Sequence, residues 1–191
     1  MNRILCACMV LLLWSNFAMA SAPLSNSRDF RLDATCARVF PMFTAEGERA
    51  WAPGWNPEML SGDVERGSAF RTLGHRDGRE TVWIVVDYRP DQYRVAYARI
   101  AQGSNIGLVD VSCRDTAPNG MQVSVRYTLT GLNKEGDDFV REFLSDAHYT
   151  RFIEEWRVAL SAALDGKKHV GASAPPAPPL RDETRAAAST E

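Results

Sequence analysis

The chain is poor in the residues from which metal centres are built. It has 3 histidines and 4 cysteines in 191 residues, and Cys6 and Cys8 fall at its very start. His75 lies in a turn, His148 on the less apolar side of a helical stretch and His169 ahead of the tail, so no His, Cys, Asp and Glu gather at ligand spacing. Neither a metal nor a cofactor is expected. The chain also lacks a P-loop, a dinucleotide fingerprint and a Gly-Xaa-Ser-Xaa-Gly elbow, and Gly74-His75-Arg76-Asp77-Gly78 reads as a hairpin turn rather than a phosphate loop. Charge of one sign is not in excess, with 22 basic against 24 acidic side chains and a net charge of -2. With no basic stripe interleaved by aromatics, nucleic acid is not an expected partner. No apolar run approaches the roughly 20 residues of a membrane span.

The ends differ from the body. Met1–Arg3 gives a positive start, Ile4–Trp14 a short apolar core, and Ala18-Met19-Ala20 the small residues that signal peptidase requires. Residues 1–20 therefore read as a signal peptide, a retained anchor being the weaker alternative. Export to the periplasm or medium is expected, with a mature protein that starts at Ser21 and does not insert stably into membrane. Loss of Arg3 takes the net charge from -2 to -3. Residues 167–191, with Pro175-Pro176-Ala177-Pro178-Pro179 followed by mixed charge and alanines, have no apolar period and read as a disordered spacer or tether. Between them lie a lead over 21–29 and one domain over 30–166. A body of this size buries roughly 70% of its unfolded surface without a staple.

Alternation assigns strands within the body. Met121, Val123, Val125, Tyr127 and Leu129 share one face, and Gln122, Ser124, Arg126 and Thr128 the other. Ile106–Arg114 follows suit with Val109, Val111 and Cys113 inward. Gln92–Ile100 places Tyr93, Val95, Tyr97 and Arg99 on one side, and Thr81–Tyr88 is apolar on both sides around Val82-Trp83-Ile84-Val85-Val86. Short connections at His75–Gly78, Arg89–Asp91, Gln102–Asn105 and Pro118–Gly120 imply an antiparallel meander. A first strand, Phe30–Arg38, precedes a short helical insert, Phe43–Leu60, and is expected to pair with the sixth strand. Asp137–Leu164 reads as a single amphipathic helix carrying Phe139, Phe143, Ile153, Trp156 and Leu160 on its apolar face. The expected architecture is α+β: a curved antiparallel sheet of about six strands wrapped on a long C-terminal helix, with a cavity between them.

That strand order bears on Cys36 and Cys113. With the sixth strand between them, next-but-one strands stand about 10 Å apart, beyond the roughly 4.4–6.8 Å that a disulfide spans. The two thiols are expected to stay unpaired, although an even count in an exported protein invites a bridge.

The stretch Phe43–Pro57 with its Trp51-Ala52-Pro53-Gly54-Trp55, then Gly67-Ser68-Ala69-Phe70, Val125–Thr130 and Trp156, resembles the SRPBCC superfamily, the START-like, Bet v 1-like helix-grip fold. The resemblance spans roughly Phe30–Leu164. It implies a deep, mainly apolar cavity with its mouth near the helical insert. It carries no shared catalytic motif, since members range from carriers of lipids and aromatic compounds to polyketide cyclases and dehydratases.

Candidate ligand-contacting residues are Trp51, Trp55, Trp83, Tyr93, Tyr97, Arg99, Tyr127, Phe143 and Trp156. Trp51 and Trp55 either line the portal or wedge the insert against the sheet. Arg99 either meets an anionic group or snorkels out at its strand end. The favoured function is an exported binding or carrier protein for a small hydrophobic molecule. One alternative is a cyclase- or dehydratase-like enzyme using Asp87, Arg99, Tyr97 or Tyr127 as acid or base; another is a protein-interaction module with a self-filled interior.

Overall fold

A computed structural model describes residues 21–73, 80–116, 118 and 120–166. The expected signal segment, the His75–Gly78 turn, Asn119 of the Pro118–Gly120 turn and the 167–191 tail lie outside the described residues.

The elements run β1 (Leu24–Leu32), α1 (Cys36–Val39), 3₁₀ turns at Phe40–Phe43 and Gly47–Ala50, β2 (Glu58–Ser61), β3 (Ala69–Leu73), β4 (Glu80–Arg89), a 3₁₀ turn at Pro90–Gln92, β5 (Arg94–Ala101), β6 (Asn105–Thr116), β7 (Gly120–Gly131), α2 (Lys134–Phe143) and α3 (Asp146–Leu164). They form one antiparallel sheet in the order β1-β7-β6-β5-β4-β3-β2. The meander is as expected, and the first strand does pair with the last. Its inner face carries alternate residues such as Val85, Tyr97, Val109 and Tyr127, aligned across β4 to β7 and all buried. Over that face lie α2, burying Val140 and Phe143, and α3, burying Tyr149, Phe152, Ile153 and Leu160.

Five features depart from the sequence expectations. The first strand spans Leu24–Leu32, not Phe30–Arg38. The alternation of burial continues through Ala34 and Cys36 although the backbone leaves the sheet at Leu32, so the period-two signal outruns the strand. A seventh strand, β2, occupies the end of the expected insert, pairing through Met59↔Phe70 at the sheet edge. It is too short to show a period.

The closing helix is broken rather than single. Ser145 is extended (φ -61°, ψ 146°) and caps α3 by accepting from the His148 N–H at 3.4 Å, with Asp146 in the first turn. Two residues of β1 hold the break: Asn26 Nδ2 donates to the Leu144 carbonyl at 3.0 Å, and Arg28 pairs with Asp146 at 2.9 Å.

Fourth, Cys36 and Cys113 form a disulfide with Cα atoms 5.9 Å apart. Strand β7 does lie between β1 and β6, as expected. The bridge forms because Cys36 belongs to α1, which passes beyond the end of β7 and reaches β6, where its N–H donates to Asp115 Oδ1 at 2.7 Å.

Fifth, the register of β4 against β5 shifts between Val85↔Tyr97 and Asp87↔Ala96, leaving Val86 as a bulge residue. The shift turns Asp87 from the inward side expected by parity to the outer face. There it pairs with Arg89 at 3.1 Å and Arg94 at 3.8 Å. It is no candidate for interior acid–base work.

Two glycines allow the close approaches that position the interior. A Cβ on Gly107 would stand 1.9 Å from the Thr128 carbonyl oxygen, and one on Gly136 1.9 Å from that of Ser104. The second seats the start of α2 on the β5–β6 hairpin. Leu132 N–H donates to the same Ser104 carbonyl at 2.8 Å, and Asn133 Nδ2 to the Gly103 carbonyl at 3.0 Å.

Candidate functional site

The aromatic side chains between sheet and helices form two clusters. In the first, Trp55, Phe70, Trp83 and Tyr97 interlock, with Phe70 stacked on Trp83 at 5.9 Å and Tyr97 edge-on to both. In the second, Phe43, Trp51 and Trp156 meet Phe152 and Phe143, and Tyr127 stands edge-on to Phe143 at 5.4 Å and Phe152 at 5.8 Å. The insert joins the clusters, since Tyr97 Oη donates to the Phe43 carbonyl at 2.7 Å. Its indoles are tied to the insert's own backbone: Trp51 Nε1 donates to the Met42 carbonyl and Trp55 Nε1 to that of Ala45, both at 2.7 Å.

Three polar groups lie among these rings. Arg99 projects inward from β5, its guanidinium carbon 5.7 Å from the centre of the Trp83 ring. Its Nη1 donates to Asn105 Oδ1, whose Nδ2 donates in turn to Ser104 Oγ at 2.9 Å. Tyr127 Oη and the Glu48 carboxylate make no hydrogen bond or ion pair to any described residue. Desolvation holds the Glu48 carboxyl well above the usual carboxylate range, lowers the Arg99 pKa, and pushes the Tyr97 and Tyr127 phenols far up. Yet among the described residues Ser68 Oγ alone is a side-chain polar atom sealed from solvent without a partner. Tyr127 is buried and Glu48 and Arg99 are half-buried, and the Arg99 Nε and Nη2, like the Glu48 carboxyl and Tyr127 hydroxyl oxygens, meet no partner among the described residues.

The sequence-derived candidates divide by position. Trp51, Trp55, Trp83, Tyr97, Arg99, Tyr127, Phe143 and Trp156 all belong to these two clusters or the polar groups between them. Tyr93 does not. It precedes β5 in a left-handed conformation (φ 49°) and packs on Phe40 at 5.9 Å, near the disulfide and roughly 20 Å along the strand from Arg99. Sequence reading missed Glu48. Its neighbour Glu46 is an ordinary exposed partner of Arg49, and nothing in the composition separates the two. The available signal is spacing: residues three apart eclipse in a 3₁₀ turn, and Glu48 stands three before the buried Trp51, whose N–H bonds the Glu48 carbonyl at 3.1 Å.

No protein-family model and no curated protein sequence matches the chain. Solved structures do. Norcoclaurine synthase from Thalictrum flavum, in complex with dopamine and hydroxybenzaldehyde, superposes with a TM-score of 0.60 at 11% identity, over 89% of this chain and 99% of that one. A protein from Rhizobium leguminosarum matches at 0.58 and 17% identity, covering 78% of this chain and 98% of its own. Ara h 8.0201 matches at 0.51 and 12% identity, covering 76% and 97%. At these identities the likeness speaks for architecture. The curved antiparallel sheet, the helical insert after its first strand and the closing C-terminal helices are the Bet v 1-like helix-grip fold.

Proposed function

We propose that this protein binds a small, largely apolar or aromatic molecule in the interior between its sheet and its helices, and that it does so outside the cytosol. The observation that carries the reading is a set of buried and half-buried polar groups, Tyr127, Glu48 and Arg99, left with unfilled hydrogen-bonding capacity among aromatic rings. A self-packed core satisfies such groups with protein partners, whereas a ligand site leaves a few of them free and convergent. The related architecture of norcoclaurine synthase holds two aromatic compounds, which supports an interior of suitable size and character. Export rests on the Met1–Ala20 pattern, and a disulfide linking Cys36 to Cys113 suits an oxidising compartment.

Native mass spectrometry of protein recovered from its own exported fraction tests this reading. A retained apolar or aromatic compound, displaced by an aromatic probe, is the expected result. Protein that emerges ligand-free and binds no apolar probe would overturn it.

One observation favours a second reading, catalysis. A carboxyl whose pKa burial raises, in the same interior as two phenols, is suited to donate a proton to a ligand carbonyl or leaving group. Turnover of a bound compound that is lost in Glu48→Gln while binding persists would establish it.

A further inference from the structure

We propose that Arg99 is the anchor for the carboxylate of an amphiphilic or aromatic acid, whose apolar remainder lies against Trp83 and the facing aromatic cluster. This rests on the ligand-binding reading above and narrows it to a chemical class.

The argument begins with what Arg99 has and what it lacks. Several arginines of the domain find carboxylates, among them Arg28 with Asp146, Arg71 with Glu58 and Glu80, Arg94 with Asp87 and Asp110, and Arg157 with Glu154. Arg99 faces inward and has none. Its protein contacts are a neutral amide, Asn105, and the face of Trp83. Asn105 is itself fully buried and held by Ser104 on the hairpin that seats α2, so the orientation of the guanidinium is fixed from behind.

Nη1 is the nitrogen so engaged. Nε and Nη2 are left on the opposite edge with no partner among the described residues, and they form the side-on fork that matches the two oxygens of a carboxylate. The interior's own acid does not serve as counter-ion: Glu48 makes no ion pair with Arg99, and burial raises its carboxyl pKa, which disfavours the charged form. A half-buried cation without a counter-charge is unfavourable, and a bound anion relieves it. One delocalised cation suits one planar monoanion. A dianionic phosphate monoester calls for a second cation.

The test uses matched probes that differ only in the head: dodecanoate against dodecanamide, and 2-naphthoate against 2-naphthamide, titrated calorimetrically into the full mature chain at neutral pH. At least one acid is expected to bind tenfold or more tighter than its amide. In Arg99→Met, confirmed folded by its circular dichroism and melting, the preference disappears while amide binding is retained, and Arg99→Lys keeps part of it. Wild-type protein that binds acid and amide equally overturns the anchor but leaves the ligand-binding reading standing, and it does so without any variant. An acid preference that survives in Arg99→Met also overturns it. Failure of all four probes to bind removes the ligand-binding reading, and the anchor with it.

Discussion

Reduction of the Cys36–Cys113 bridge should remove a large part of the stability of the domain. The bridge joins residues 77 apart in sequence, and releasing a loop of that length raises the entropy of the unfolded chain by the equivalent of about 4.5 kcal/mol at 25 °C, within a usual range of about 2–5 kcal/mol. Against a total stability of about 5–15 kcal/mol this is substantial. With a urea m-value of about 2 kcal/mol/M, the unfolding midpoint should fall by about 1–2.5 M on reduction. The natural comparison is the chain from Ser21 onward, unfolded in urea with and without reductant. Because Cys36 is fully buried and Cys113 nearly so, reduction must be carried out on unfolded protein and the reduced chain refolded without oxygen. Denatured, unreduced protein should titrate no free thiol. Two free thiols in that titration would refute the covalent link itself. A midpoint unchanged after confirmed reduction would refute the loop-entropy argument and imply that α1 is held as firmly by packing around Val39, Phe40 and Phe43 as by sulfur.

Two tyrosines should behave oppositely. Tyr97→Phe deletes a buried hydrogen bond to the Phe43 carbonyl and should cost about 0.5–1.5 kcal/mol in urea unfolding, whereas Tyr127→Phe deletes a hydroxyl with no described protein partner and should stay within about 0.5 kcal/mol of wild type. Equal losses would mean that Tyr127 Oη has a protein partner after all. Glu48, with its folded pKa raised by burial above that of a free glutamate, contributes stability that is fully present below the unfolded pKa of about 4.3 and lost as pH rises through the folded pKa. Melting temperatures from pH 4 to pH 8 should therefore fall for wild type relative to Glu48→Gln, and parallel curves would show that Glu48 ionises normally. Gly136→Ala should destabilise the domain by about 1–3 kcal/mol, although alanine favours a helix interior by about 1 kcal/mol, because its Cβ would strike the Ser104 carbonyl oxygen. A stabilised variant would mean that α2 can shift away from the hairpin at no penalty.

The fold was legible where one face of an element is buried and the other wet. From Met121 to Leu129 the alternation gives both the strand and its inner face, and the residues it places inward are buried. It became unreliable where burial and backbone conformation part company. Ala34 and Cys36 keep the period of a strand while the chain turns into α1, so the sheet was extended six residues too far and Cys36 was placed on a strand it does not occupy. The disulfide followed from that displacement alone, since the strand order used to argue against it is the observed one. At the other end of the body, Leu144-Ser145-Asp146 already contains a cap residue and a first-turn acid. The apolar stripe running from Phe143 into Ile153 and Trp156 masked that stop, because two helices packing on one sheet need the same stripe as one.

The candidate site divides along the same physical line. Aromatic positions announce themselves, since large rings on an inward parity have nowhere else to go, and eight of the nine expected contact residues gather around one interior. Polar positions do not, because a charge is placed inside by local geometry that leaves little trace in composition. A single inserted residue, Val86, carries Asp87 from the inner face to an outer ion-pair cluster with Arg89 and Arg94. A 3₁₀ turn in place of an α-helix sets Glu48 in phase with Trp51. Both changes alter which groups can meet a ligand without changing the apolar pattern at all. This is why the sequence supports a cavity more firmly than a chemistry, and why the polar trio Arg99, Glu48 and Tyr127, rather than the ring clusters, will decide between carriage and catalysis. If the ligand's head meets Arg99 and nothing on it reaches Glu48, the protein holds its cargo unchanged; if the reacting carbon or oxygen lies under the Glu48 carboxyl, the same interior becomes an active site.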